Sequence, residues 1–592
     1  MSAPGPRTRK ARTIARLIWH YVELTIALSA GMMLLAPVWS AVLPKVSRVD
    51  VAVLVMAADM AAGVAAWMLV RRHRRPYVAE MILAVVAPFL VLLVPFWFGV
   101  VPGTVVMNAG HAAMFVLMAL VMVRRRREHE HVRRFRVRIT GRWAGRAAVV
   151  LTALAIPGAV SAVNTVGKFG AQYEARAETV SAQPVRKTHD PAKPTVALLT
   201  GSKGANVADL LGPYEVLAGT GRFNTYVVSA GPRLIPLTGG LDLVPDMTFG
   251  ELTRLLADRH DELDAVVVPA LQPPAPAEHD AVTTWLRRQS AADALIVSVC
   301  RGARTLAETG LLDGRTATSH WLRLAGLKND FPRVSWVDGR RYVDEGPIIT
   351  TAGILSGIDG ALRITERLTD AATARQAAQN VHWRHYSPGA SARLPKSALE
   401  PPDVVVALNA SYSRGTIGVQ LTEGVGELEL ASAFVSYTEE AMVGRTISIG
   451  NNPIHSKHGL TFIPRSPLAD AGDLDRLLVP GLDAARRHTA GPHAEYLHTT
   501  EEFAFDPVLR DIARTYDLQT ARWTAKTMEY PQTDLNVTGG SWPWLNTLAP
   551  LALALLGALA AGVVVRRIRA RSRTAGPRPL AAPSAEPTPP GK

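Results

Sequence analysis

The chain carries one cysteine in 592 residues, and it stands where covalent chemistry could be done. Cys300 lies in ALIVSVCRGARTL (294–306), between an apolar β-branched run and a helix-forming run, a pattern that predicts a strand-to-helix elbow. Such an elbow lifts a nucleophile to the top of an α/β sheet and turns the amides of the next helix toward it, provided its neighbours are small. Ser298 and Gly302 flank it two residues to either side. Arg301 follows directly, and a helix amino-terminus with a guanidinium beside it favours thiolate, so a depressed thiol pKa is expected. The alternative is a buried cysteine acting as a small hydrophobe. A single cysteine forms no intramolecular disulfide, so its domain must be stable through its core alone.

The elements that would position this thiol alternate between short β-branched runs and helical patterns, which is the signature of βαβ units and a parallel sheet. Thr195 to Leu199, Thr225 to Ser229, Leu263 to Val268, Leu295 to Val299 and Gly346 to Thr351 read as strands. Asp209 to Ala218, the stretch around Thr283 to Gln289, and Gly353 to Thr369 read as helices. In open sheets of this kind ligands sit beyond the carboxyl ends of the strands, where Cys300 also falls.

Three segments carry a family resemblance: DLLGPYEVLA (209–218), SVCRGARTLAETGLLDGRTATSHW (298–321) and YVDEGPIITTAGILSGIDGAL (342–362). In this order they resemble the DJ/PfpI superfamily, class I glutamine-amidotransferase-like, in the branch of isocyanide hydratases and the amino-terminal sensor domains of some AraC-type regulators. The resemblance implies an α/β flavodoxin-like sandwich with Cys300 as nucleophile. It also implies an acidic partner at Asp209, with Glu215 one helical step on, and a family histidine at His320. A carboxylate beside a thiol can accept its S–H hydrogen bond and relay the proton. Asp209 could equally cap its own helix, and His320 could be a turn histidine packed on Trp321. Glu215, Arg301, Gly302 and Ala270 are expected to line the substrate site. Relatives usually have Thr or His after the cysteine and a Gly-containing turn after the Val-Pro strand end, whereas this chain has Arg301 and Ala270-Leu271. The second change could close the approach to an oxyanion-holding amide.

A shortened second copy follows. TIGVQLTEGVGELELASAF (416–434) parallels 195–214, DRLLVPGL (475–482) parallels DAVVVPAL (264–271), and TARWTAKTMEY (520–530) parallels TARQAAQNVHW (373–383). Between Leu482 and Thr520 there is no room for the elbow and its following motifs, so the copy is expected to lack a nucleophile, to cover the first domain, and not to fold alone.

The formal charge of +15, from 65 Lys/Arg against 50 Asp/Glu, concentrates in four basic clusters that each border an apolar run. Those runs are Val22 to Leu43, Val51 to Val70, Ala79 to Val101, Thr104 to Val123, Ala147 to Val163 and Thr547 to Val565. Threaded as six spans, they place the clusters on alternate sides as the positive-inside rule demands, so the basicity points to a lipid bilayer and away from nucleic acid. The organisation expected is a five-helix membrane region (1–163), a linker (164–194), a DJ/PfpI-like domain (195–390), a linker (391–415), the degenerate copy (416–540), a terminal span (545–566) and a cytoplasmic disordered tail (567–592). Both termini are then cytoplasmic and 164–545 extracytoplasmic. Asp59 and His111 fall at similar depth in their spans and are expected to face each other. Met60, Met107 and Met114 lie nearby, but no metal and no cofactor is expected. The function expected is a membrane-anchored protein that acts on a small molecule through Cys300, as hydrolase or hydratase. The alternative is a non-catalytic small-molecule sensor coupled to the membrane helices. A homodimer formed through the DJ/PfpI domain is the expected oligomer.

Overall fold

The computed structural model describes residues 19–29 except 22, 32, 49–71, 73, 75–97, 103–124, 172–173, most of 182–542 and parts of 547–557; within 182–542 the exceptions are 232–233, 387, 390–391, 411–414, 489 and 491–493. The chain divides into two compact units, residues 1–141 and 142–592.

In the first unit three helices, Val49–Val70, Arg75–Trp97 and Gly103–Arg124, pack through Met60, Val64, Met81, Phe89, Met114 and Met118. Two of them contain 18-residue stretches long and apolar enough to cross a bilayer, Val53–Val70 and Pro76–Leu93. In the third the apolar stretch is shorter, Ala109–Met122. Six spans are therefore not established: the first, fifth and sixth expected spans lie largely outside the described residues. Asp59 is buried, and the half-buried His111 ring stands edge-on to Phe89 at 5.2 Å.

The second unit is built on a seven-stranded sheet in the order Tyr342–Asp344, Ile348–Thr351, Leu295–Ser298, Ala265–Val268, Thr195–Thr200, Asn224–Ser229, Met247–Thr248. All neighbours are parallel except the first pair. The central strands are apolar at nearly every position because helices cover both faces, which is why they read as continuous β-branched runs without alternation. The helices Val207–Gly219 and Pro276–Ala291 bracket the expected ones, and Ser356–Leu368 falls within the expected Gly353 to Thr369. The stretch expected as a linker at 391–415 contains a helix, Pro401–Ala410.

A second parallel sheet has the order Gly444–Ile449, Gly415–Gln420, Arg476–Val479, Glu495–Tyr496. This repeats the arrangement of Asn224–Ser229, Thr195–Thr200, Ala265–Val268 and Leu295–Ser298, so the elbow strand thought missing from the copy is present as a two-residue strand. Register fixes the equivalence. Val268 pairs with Ser298, and Val479 with Tyr496; the next amide, Val299 or Leu497, then donates to Val268 or Val479. His498 therefore occupies the place of Cys300.

The two repeats share one hydrophobic core. Strand Leu241–Val244 of the first pairs antiparallel with Thr461–Ile463 of the second, and beside this joint Arg465 grips the buried Asp242 through Nε (3.0 Å) and Nη2 (2.7 Å). Helices Val207–Gly219 and Glu427–Val435 pack at Gly212, which faces Leu428.

Candidate functional site: a cysteine elbow closed by the second repeat

Strand Leu295–Ser298 delivers Cys300 in the left-handed region, φ 55°. A side chain held there is strained, and the fold must over-determine it. It does so with the Cys300 amide donating to Ala352 (2.9 Å) and the Ser319 hydroxyl donating to the Cys300 carbonyl (2.7 Å). Gly302 makes the sharp turn possible by proximity, since a Cβ there would lie 2.0 Å from the Val268 carbonyl oxygen. It lets the foot of the helix Gly302–Thr309 pack directly on strand Ala265–Val268.

Asp209 is fully buried and reaches the elbow from the first crossover. It does not cap its helix: Asn206 does, accepting the amides of Ala208 and Asp209 through its Oδ1. The carboxyl is thus free to accept the Ala270 amide at Oδ2 (3.0 Å). Its Oδ1 has no conventional partner, which leaves it for the thiol that neighbours it. Burial pushes Asp209 up to about 8, against the Ala270 amide, which lowers it.

The thiol departs from expectation in direction. Burial pushes Cys300 well above its usual range and the Asp209 charge adds to this; the neighbouring amide and Arg301 guanidinium pull the other way and are outweighed. Cys300 is 8% exposed. Both shifts favour the protonated forms, a thiol beside a carboxyl. The Ala270 amide is spent on Asp209, so it holds no oxyanion at rest.

One charge that acts on the thiol comes from outside the first repeat. The widened π-helical turn Ser436–Glu440, of a kind often found at functional positions, carries Glu439 to the elbow. There Glu439 accepts hydrogen bonds from Asn206 Nδ2 (2.7 Å), Thr238 Oγ1 (3.2 Å) and the Tyr173 hydroxyl (3.3 Å). Arg301 spans the same region, its Nη2 donating to the Leu271 carbonyl (2.9 Å), and its charge acts on Glu439, Asp209 and Cys300 together. Glu440, buried behind, is pushed up to about 8 by desolvation and then by Glu439. Asn206, Tyr173, Glu439 and Glu440 were not singled out from the sequence.

Two expected site residues lie elsewhere. His320 caps the helix Trp321–Asp330; its Nε2–H donates to the Thr527 carbonyl (2.6 Å) and its Nδ1 accepts the Leu322 amide (3.3 Å). With both nitrogens committed, and burial holding it down at about 4, it is a packed turn histidine stacked on Trp321 and no base for Cys300. Glu215 points into the second repeat, where its Oε2 accepts the Leu428 amide (2.6 Å). Burial and then the Glu427 charge raise it to about 7.

In the second repeat Glu429 and His498 stand where Asp209 and Cys300 stand in the first. Glu429 accepts the Leu482 amide (2.7 Å), and the Gly481 amide donates to His498 Nδ1 (3.1 Å). His498 is itself buried at 3% exposure, but a cleft lies beside it. The cleft, of about 290 Å3, is lined by Glu215, Glu429, Lys457, Arg487 and His498 among others.

The buried carboxyls give a pH dependence with a definite sign. Asp209 and Glu440 at about 8 and Glu529 at about 7 hold protons that the unfolded chain releases near its ordinary carboxylate range, so stability falls as pH rises. His320, held neutral, works oppositely below its ordinary range, while Glu215 at about 7 and Asp359 at about 6 add to the fall. Thermal melting of the full chain should shift downward between about pH 5 and about pH 8; an upward shift across that window would contradict these protonation states.

A parallel sheet that delivers a left-handed cysteine at a strand-to-helix elbow, beside a carboxyl from its first crossover, defines a nucleophile-elbow α/β sandwich. The chain belongs to the DJ-1/PfpI family, whose model matches residues 194–367. It is 33% identical over 171 residues to an isonitrile hydratase of Pseudomonas putida, a match covering 28% of this chain and 69% of the hydratase. It is 35% identical over 96 residues to an HTH-type transcriptional regulator of Pseudomonas aeruginosa, covering 16% of this chain and 28% of the regulator. The crystal structure of Drosophila melanogaster DJ-1beta aligns over 32% of this chain and 97% of its own, at 22% identity and a TM-score of 0.27.

Proposed function

We propose that the chain is a membrane-anchored sensor in which an extracytoplasmic DJ-1/PfpI module binds a small molecule and reports it to the membrane helices, with Cys300 kept as a protonated thiol at rest. The observation that carries this reading is the burial of the elbow: Cys300 is 8% exposed, and Glu439, carried in by the second repeat and bound by Asn206, lies near enough for its charge to act on the thiol. An enzyme poised for turnover presents an ionised, reachable thiol. The likeness to a transcriptional regulator gives a family precedent for a signalling role, and the bilayer, a small-molecule ligand and a pairing of two chains are the partners this reading names.

A second reading, a cysteine-dependent hydratase or hydrolase, is favoured by the strained φ of Cys300 and the neutral Asp209 beside it. Opened by a substrate, that pair could add S–H across an electron-poor multiple bond. Asp209 would pass its proton to the adduct while taking the thiol's, and water would then displace the sulfur. The likeness to an isonitrile hydratase is the family precedent for such chemistry.

Two apolar helices and the basic clusters bordering the apolar runs support the anchoring, read with six spans and both termini cytoplasmic. In intact cells, protease added outside should digest the 182–542 region and spare the loop Arg124 to Arg146. Digestion of that loop in sealed cells would overturn the topology.

A further inference from the structure

Where the two repeats meet, three groups that none of the Cys300 chemistry uses converge. Glu215 comes from helix Val207–Gly219 of the first repeat, Glu427 is the first residue of helix Glu427–Val435, and His458 sits in the turn between Ile454–His455 and Thr461–Ile463. Their ligand atoms all lie within 4.8 Å of one another.

Each group is oriented by its surroundings. Glu427 is fully buried; its Oε1 accepts the Ser456 hydroxyl (2.6 Å) and the His458 amide (2.9 Å), while its Oε2 lies 2.8 Å from His458 Nδ1. His458 has its Nε2 turned against Gly219, where a Cβ would stand 3.5 Å away, so Nδ1 is the nitrogen offered to the cluster. Glu215 is more than nine-tenths buried, and among the described residues it accepts one hydrogen bond, from the Leu428 amide. Its other oxygen is left to the cluster and to the cleft that Glu215 helps to line.

We propose that Glu215, Glu427 and His458 form a divalent transition-metal site bridging the two repeats, with its open coordination positions facing the cleft. Two carboxylates and a neutral imidazole balance one dication, which removes the repulsion of two facing carboxylates. An imidazole in the set favours zinc-like ions over magnesium or calcium. Three protein ligands plus an open position is the pattern of a metal that also holds water or a ligand, and the cleft supplies the entry path. The hydrogen bonds from Ser456 and Leu428 are the outer-shell contacts that fix ligating carboxylates.

The test uses the full chain in detergent, stripped with a chelator, in a Cys300→Ser background that removes the thiol as a competing ligand. Titration with zinc chloride, followed by calorimetry, should show one tight site per chain. In both Glu215→Gln and His458→Gln, zinc affinity should fall by at least about 10-fold to 100-fold. Zinc should raise the melting temperature of the parent and not of these variants. Glu215→Gln keeps an oxygen for the Leu428 amide, so it decides the matter if His458→Gln does not fold. Absence of a tight site in the parent, or zinc affinity unchanged in Glu215→Gln, would overturn the assignment.

Discussion

Gly302→Ala is expected to abolish folding of the second unit. The added methyl would sit 2.0 Å from the Val268 carbonyl oxygen and 2.9 Å from that of Pro269. Both obstacles are backbone, so no side-chain rotation relieves them. The helix Gly302–Thr309 would have to lift from the sheet, or strand Ala265–Val268 would have to bend away, and either movement breaks the turn that holds Cys300. Overpacking ordinarily costs about 1–3 kcal/mol; a clash against backbone at two points belongs at or beyond the top of that range. Loss of soluble, protease-resistant protein on expression checks it. A Gly302→Ala chain that melts like the parent would show that the elbow does not approach the strand so closely.

Asp242→Ala should be nearly as damaging, for an electrostatic reason. Asp242 is 1% exposed, and Arg465 is held against it by two hydrogen bonds across the joint between the repeats. Removing the carboxylate takes two charge-assisted hydrogen bonds from a largely buried guanidinium, and breaking a buried pair this way typically costs about 3–5 kcal/mol. Replacing Arg465 with leucine in the same chain should recover part of that loss, because the orphaned charge goes with it. Chemical denaturation of the three variants measures it. An Asp242→Ala midpoint equal to that of the parent would mean the pair contributes nothing to holding the repeats together.

The sheet and its elbow were legible in the sequence because buried parallel strands declare themselves as β-branched runs, and Val266 to Val268 and Leu295 to Val297 do so plainly. Asp209 was legible through its motif, although Asn206, which caps the helix and frees Asp209 to act, was not noticed. The closure of the site was not legible. Glu439 lies far along the chain from Cys300, and the π-helical turn that carries it breaks the periodicity by which a helical face is read. Strand Glu495–Tyr496 is too short to leave a pattern, so the second repeat looked as if it had lost its elbow. The thiol was expected to be acidic because the local sequence displays the helix amides and Arg301, whereas burial and the Asp209 carboxyl are contributed by the tertiary fold. His320 and Glu215 were placed at the cysteine by motif alone; one is bound to Thr527 and the other to Leu428.

Because Cys300 is the sole cysteine, the rate at which a thiol-directed reagent modifies the full chain reports on that one position without ambiguity. A buried, protonated thiol should react far more slowly in the folded protein at neutral pH than in denaturant. The rate should climb only in the alkaline range, and Glu439→Ala should accelerate it by removing a charge that raises the thiol. Modification at neutral pH as fast as in the unfolded chain, and indifferent to Glu439→Ala, would mean that the elbow is open and ionised at rest, which contradicts the closed-thiol account.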